Sequence, residues 1–240
     1  MKGKNPFKDV RVRKAFYQAI DIEAIKSRVM RGLAAPSALM ISPLLFSRAA
    51  EFKRWPYDPE AARKLLTEAG YPNGFEVTMD CPNDRYVNDE AICQAVAAML
   101  ARIGVKIDLL AQPKAKYFAK VLASGGYDTS FYLLGWTPGS FDSWNILNNI
   151  VGCRDEKGNG GQFNLGGYCN PKIEELATRI LREVDVKKRD DMIAEAFRII
   201  HDEVSHIPLH QQALVWGVSK KMKVVQRADN LILFYWYRKE

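Results

Sequence analysis

Apolar and polar residues alternate along this chain with two periods, one near 3.6 and one of 2, which predicts helices interleaved with short strands. Val10, Val12, Ala15, Phe16, Ala19 and Ile20 share one face of a helix opened by Asp9 or its neighbour. Asp21 fits the N-cap of a second, shorter helix from Ile22 to about Met30, with Glu23 in its first turn and Gly32 past its end. Residues 33–57 carry Pro36, Pro43 and Pro56 without periodicity and read as a long surface-hugging connection. Asp58-Pro59-Glu60 then opens a helix: Asp caps, Pro occupies a position where no hydrogen bond is lost, and Glu favours the positive end of the dipole. That helix runs through Leu65 and Leu66 to Gly70.

Phe75 to Met79 alternates as a strand. A helix capped by Asn88 or Asp89 follows, with Ile92, Val96, Met99, Leu100 and Ile103 inward and Gly104 as its stop. Val105 to Leu109 is the next strand, and Tyr117, Phe118, Val121 and Leu122 mark a helix ending at Gly125-Gly126. Residues 131–136 are uncharged and read as a buried strand. Strand, helix, strand, helix, strand is the spacing of parallel crossover units, so the fold class is α/β. Two longer helices are predicted over about 171–184 and 187–204, with Asn170-Pro171 at the start and Asp185 at the break. Ile207-Pro208-Leu209-His210 begins an extended segment through Val218. The tail from Leu231 to Arg238 is an aromatic-rich strand candidate that needs a packing surface, on this domain or on a partner domain.

Composition narrows the function classes. The 240 residues suit one large domain or two small ones, and no apolar run approaches the ~18–20 residues of a membrane span. Met1-Lys2-Gly3-Lys4 is basic but no apolar run follows, so the chain reads as cytosolic or as beginning inside a larger precursor. The net charge of +7 is spread among acids, and even Lys187-Lys188-Arg189 is followed by Asp190-Asp191. This is a solvated helical face rather than a nucleic-acid stripe. His201, His206 and His210 do not share a helical face, because Pro208 intervenes. Gly158 to Gly167 lacks P-loop register and reads as a flexible loop, and Ser140 does not sit in a nucleophile elbow. No catalytic residue, metal site or cofactor is expected. The four cysteines, Cys81, Cys93, Cys153 and Cys169, form no CxxC. Cys153 and Cys169 bracket a loop whose closure by a disulfide stabilises by about 3 kcal/mol in an oxidising compartment. Four unrelated free thiols is the alternative.

The candidate binding surface is the turn after the 131–136 strand, since ligands of open α/β sheets sit outside the carboxyl ends of strands. Trp136, Phe141 and Trp144 supply rigid aromatic area, Gly139 permits the turn, and Asp142 offers a carboxylate for a cationic ligand end. Each has a structural alternative: Trp136 as a core residue capping the sheet, Trp144 on the apolar face of a helix with Ile146, Leu147 and Ile150, and Asp142 as the N-cap of that helix.

Four stretches carry a family resemblance. They are Asn5-Pro6-Phe7-Lys8-Asp9-Val10-Arg11-Val12-Arg13 with Ala19-Ile20-Asp21; Tyr57-Asp58-Pro59-Glu60-Ala61-Ala62 with Ala69-Gly70-Tyr71-Pro72-Asn73-Gly74-Phe75; Gly135-Trp136; and Tyr168-Cys169-Asn170-Pro171 with Ile207-Pro208-Leu209. In these the chain resembles the solute-binding proteins of bacterial ABC importers, family 5, the dipeptide/oligopeptide/nickel type. The resemblance implies a periplasmic-binding-protein-like lobe with a mixed sheet flanked by helices. It implies that the chain is the carboxyl-terminal portion of a longer periplasmic protein, which accounts for the missing signal peptide. Residues 1–206 are then the second lobe, and 207–240 a returning hinge strand and tail that packs on the first lobe. Implied partners are a peptide or other small solute, the permease subunits and the missing first lobe, with no nucleic acid. The Cys153–Cys169 disulfide is also implied. Peptide-binding relatives commonly carry an acidic residue three positions after the tryptophan, where this chain has Gly139, and some carry an arginine at the position of Leu133. The resemblance therefore leaves peptide, haem, glutathione, nickel chelate and opine open as ligands.

Overall fold

A computed structural model describes residues 5–155, 157–227 and 231–239. The basic start Met1-Lys2-Gly3-Lys4 and Glu156 of the glycine-rich loop lie outside the described residues. Local capping chemistry sets the first elements. The Asp9 carboxylate accepts from the Arg11 amide at 2.8 Å and opens α1, Val10–Ala19. Asp21 accepts from the Ala24 amide at 2.9 Å and opens α2, Ile22–Ala24, which widens into a π-helical turn over Ile25–Val29. The connection 33–57 is less superficial than its prolines suggest. It contains β1, Ala34–Pro36, and buries Leu39, Ile41, Phe46 and Phe52, so four apolar side chains draw it into the core. Asp58 caps α3, Pro59–Glu68, with Pro59 in its first turn.

The central sheet is parallel. β2, Glu76–Pro82, pairs with β3, Lys106–Gln112, from Glu76 opposite Lys106 to Pro82 opposite Gln112. Its other neighbour is β4, Phe131–Tyr132, which gives the order β3-β2-β4. The crossovers are α4, Asp89–Ala101, and α5, Lys114–Val121. The predicted 131–136 strand is shorter and less buried than expected: two residues pair, the Leu133 amide adds a bond to the Asp80 carbonyl at 3.1 Å, and all six are half-buried. Pro82 explains the stop, because it has no N–H to donate to a longer ladder. Tyrosine hydroxyls hold the extension instead. Tyr117 donates to the Leu133 carbonyl at 2.8 Å and Tyr86 to that of Gly135 at 3.2 Å.

Two large apolar clusters and a small third one, Tyr117, Val121 and Leu165, form the core among the described residues. One joins α1, α3 and α4 to the sheet through Val12, Phe16, Leu66, Met79 and Leu100. The other lies under α6, Ser143–Ile146, its π-helical continuation Leu147–Val151, α7, Pro171–Arg182, and α8, Val186–Glu203. Asn170 caps the first long helix at its predicted start, and Asp185, at the predicted break, caps the second. β5, His210–Gln212, pairs antiparallel with β1, so parallel and antiparallel sheets coexist. The extended segment expected through Val218 is thus a ladder of three residues only.

Beyond it the tail departs from expectation. β6, Met222–Lys223, pairs with β7, Arg238–Lys239, and Phe234–Trp236 form a single turn rather than a strand. Phe234 and Tyr235 remain 77% and 78% exposed, so these two rings are left largely uncovered by the described residues. The glycine-rich loop also differs from the flexible loop expected. Asn164, fully buried, donates to the carbonyls of Gly152 and Tyr168 and accepts from the Tyr168 amide, while Arg154 Nε donates to the Asn164 carbonyl. At Gly161, with φ +63°, a Cβ would come within 2.6 Å of the Gly152 carbonyl oxygen.

His206 sits beneath β4, its Nε2 3.4 Å from the Tyr132 hydroxyl and its Nδ1 3.2 Å from Ser205 Oγ. Burial pushes its pKa down from 6.5 to about 4. The folded chain therefore refuses a proton that the unfolded chain accepts. The contribution of this group to stability is constant above pH 6.5, falls from there to about pH 4, and is constant again below. Urea titrations should show a loss of about 2 kcal/mol across that window from this group, allowing for its residual exposure. The slope should be smaller by that amount in His206→Gln; an unchanged slope would place the acid sensitivity elsewhere.

Candidate functional site

The turn after β4 gathers the aromatic residues singled out in the sequence. Trp136 is half-buried, donates from Nε1 to Asn145 Oδ1 at 2.8 Å and tilts against Phe163 with centroids 4.7 Å apart. Trp144 is also half-buried and rests on the second apolar cluster. Asp142 caps α6, accepting from the Trp144 amide at 2.7 Å, and the same oxygen accepts from Arg189 at 2.9 Å. Its charge is thus already matched, which leaves little of it for an incoming amine. Gly139 is exposed, and a Cβ there would meet nothing within 4 Å. Phe141 holds φ +53°, a left-handed conformation that is costly for an aromatic residue, and stays 39% exposed. Trp136, Gly139, Phe141 and Asp142 share one turn, and Trp144 follows it in the first turn of α6. Cys153 and Cys169 are bonded to each other, and a second disulfide joins Cys81 of β2 to Cys93 of α4.

The same end of the sheet carries a second wall, which local sequence pattern does not single out. The 83–88 loop leaves the carboxyl end of β2 and lies against the Trp136 turn through Tyr86. Gly135 makes that approach possible, since a Cβ on it would stand 2.7 Å from the Tyr86 ring. Burial raises the Tyr86 phenol above its ordinary range. Asp89 shapes the loop from beneath: it is 3% exposed, and its carboxylate accepts the amides of Arg85 at 2.9 Å, Tyr86 at 3.0 Å and Glu90 at 3.0 Å. Asn88, in a left-handed conformation, makes no side-chain cap, and Asp89, the other residue expected to cap, accepts from the loop before it and from the next amide instead. Arg85 is exposed, its guanidinium lies 4.8 Å over the Tyr86 ring, and it has no ion-pair partner among the described residues. An open groove beside it is lined by Asn83, Tyr86, Asn88, Glu90 and Gln94. The legible signal was an exposed Asn-Asp-Arg-Tyr run directly after a strand of a parallel sheet. Among the described residues no cluster of His, Cys, Asp and Glu could hold a metal ion.

Comparison with known proteins agrees with this architecture. The chain is 29% identical over 219 residues to the glutathione-binding protein GsiB of Salmonella typhimurium, covering 90% of this chain and 42% of the relative. HbpA2 of Haemophilus parasuis superposes with a TM-score of 0.80 at 23% identity, over 99% of this chain and 46% of that one. The periplasmic binding protein DppA of Helicobacter pylori, solved with the peptide STSA, gives 0.77 at 24% identity, over 86% and 39%. At these identities the two solved structures establish the fold, that of periplasmic binding proteins. The chain spans less than half the length of each of these relatives. Residues 1–158 match the family model described as bacterial extracellular solute-binding proteins, family 5, middle region. The family is defined by binding and not by catalysis, and the chain belongs to it: the bacterial extracellular solute-binding proteins of family 5.

Proposed function

We propose that this chain forms one lobe of the solute-binding component of a bacterial ABC importer, and that it captures a peptide-like solute carrying a free carboxylate. The observation that carries the reading is Arg85. It is an exposed cation without an ion-pair partner among the described residues, held over Tyr86 at the carboxyl end of the parallel sheet, on the loop whose Tyr86 meets the Trp136 turn and lines the open groove. A carboxylate can take both N–H groups of one guanidinium edge. Glutathione and the peptide STSA, the ligands in the names of two relatives, both carry such a group. Trp136, Phe141 and Trp144 supply the apolar wall, with Gly139 leaving space for the ligand and Asp142 holding the turn through its cap and Arg189. Haem, a nickel chelate and an opine are the non-peptide ligands that the same cleft would take by the same mechanism.

In this reading residues 1–206 are the second lobe, and 207–240 return to a first lobe. The exposed Val215, Phe234, Tyr235 and Trp236 support it, since such a surface asks for a partner. Solute bound between lobes shifts the population toward the closed form, which the permease subunits then engage. Two disulfides support residence in the periplasm rather than the cytosol.

Calorimetric titration of the full-length protein with tri-alanine, its carboxyl-terminal amide and glutathione tests the reading. We expect the free acid to bind more tightly than the amide. Arg85→Met should erase that preference, at a cost of about 10–100-fold, the worth of one charge-assisted hydrogen-bond pair. Equal affinity for acid and amide in the unaltered protein, or an Arg85→Met variant that keeps the preference, would remove Arg85 from the site.

A further inference from the structure

The 83–88 loop touches more than the Trp136 turn. On its outer side the Val87 amide donates to Gln212 Oε1 at 3.1 Å, and Asn88 Nδ2 donates to the Val29 carbonyl at 2.9 Å. Gln212 is the last residue of β5, opposite Ala34 of β1. The chain up to this point is firmly rooted. Arg54 donates to the carbonyls of Ser37, Pro208 and Leu209 and lies 4.7 Å over the Tyr17 ring, which ties the base of β5 to the segment following β1. The Ala213 amide still reaches the Leu33 carbonyl at 3.4 Å. From Leu214 onward the character changes. Leu214, Val215, Trp216 and Val218 are all more than two-fifths exposed, and the regular backbone pairing there, β6 with β7, is internal to the tail.

The boundary between rooted and outgoing chain therefore falls at 212–214. The side chain at that boundary is bonded to the backbone two residues from Arg85. The loop itself is stiff on its inner side. Asp89 takes two of its amides, and the Cys81–Cys93 disulfide pins the strand before it to the helix after it. A stiff loop passes on a displacement that a slack one would absorb.

We propose that Gln212 is a positioning residue that couples movement of the outgoing segment to the 83–88 loop, so that closure of the lobes and placement of Arg85 are linked through the Val87–Gln212 hydrogen bond. This rests on the two-lobe reading above. The link is reciprocal: a ligand that settles the loop favours the outgoing segment's closed direction, and closure in turn settles the loop.

The test uses full-length protein with one spin label on each lobe, carried by non-canonical amino acids so that the disulfides stay intact. Pulsed spin-label distances report open and closed populations, and hydrogen exchange reports the Val87 amide. In Gln212→Ala, exchange at Val87 should quicken about tenfold, the scale of one lost hydrogen bond, and the ratio of closed to open populations should shift about threefold or more. Gln212→Glu puts a carboxylate oxygen in place of the amide oxygen as acceptor and should restore both. Faster exchange at Val87 with unchanged distances would reduce the bond to a local one and overturn the coupling. A single interlobe distance in the unaltered protein, with and without millimolar tri-alanine or glutathione, would instead overturn lobe closure itself, and the coupling with it.

Discussion

Lys120→Met should destabilise this chain by about 3–5 kcal/mol, more than most single substitutions remove. The reason lies under the central strand. Asp80 of β2 is fully buried, and its carboxylate accepts from Lys120 Nζ at 2.9 and 3.0 Å and from Thr129 Oγ1 at 2.7 Å. Methionine matches the lysine stem in volume but leaves a buried carboxylate with one neutral donor. The cost is that of an uncompensated charge in a low dielectric, not of a lost contact. The double variant Asp80→Leu/Lys120→Met should recover most of the loss, since replacing both members of a buried pair with apolar groups is far cheaper than removing one. Urea unfolding of the three proteins reads this directly. A Lys120→Met cost below about 1 kcal/mol would mean that water reaches the carboxylate and that the pair is worth no more than a surface bridge. The pair also bears on the candidate site. The Asp80 backbone carbonyl accepts from Leu133, so the residue that holds the charge also fixes where the strand gives way to the Trp136 turn.

What the sequence disclosed and what it withheld divide along sequence distance. Helix starts were legible because their chemistry is local. Asp9, Asp21, Asp58, Asn170 and Asp185 each satisfy amides two or three residues away. The parallel crossover pattern was legible because apolar periodicity changes with element type. The second wall of the candidate site was not, because it is built across long separations. Tyr86 reaches Gly135, 49 residues on, and Asp142 is matched by Arg189, 47 residues on. No spacing rule shows that Asp142 has a cationic partner, so its fitness as an amine clamp was overstated by the sequence alone. The length of the 131–136 strand was misjudged for a related reason. Its apolar run permits a long strand, but the length of a ladder depends on the neighbour, and Pro82 of β2 ends the supply of donors. The Cys81–Cys93 bridge had no legible signal, since one cysteine sits in a strand and the other in the crossover helix.

The two bridges set the second large effect. Full reduction should lower stability by about 6 kcal/mol, about 3 from each, because loops of this length lose that much closure entropy in the unfolded chain. The sequence separations are 12 for Cys81–Cys93 and 16 for Cys153–Cys169, so neither dominates by loop length. Against a total of about 5–15 kcal/mol for an ordinary domain, the loss is severe. The bridges should not be reduced together. Cys169 is exposed, so dithiothreitol reaches the Cys153–Cys169 bond in the folded chain, whereas Cys81 and Cys93 are fully buried and wait for the sheet and α4 to part. Timed alkylation read by peptide mass spectrometry should label Cys153 and Cys169 first, with little loss of helical signal. Labelling of Cys81 and Cys93 should follow at the rate of unfolding and speed up in urea. Equal labelling rates at all four positions, or a melting temperature indifferent to reduction, would count against this order and against the bridges as a main source of stability. If the order holds, a chain held in a reducing cytosol would lose its accessible bridge in the native state and its buried one each time it opened. The protein would then be most stable where thiols are kept oxidised, which supports the periplasmic residence proposed above.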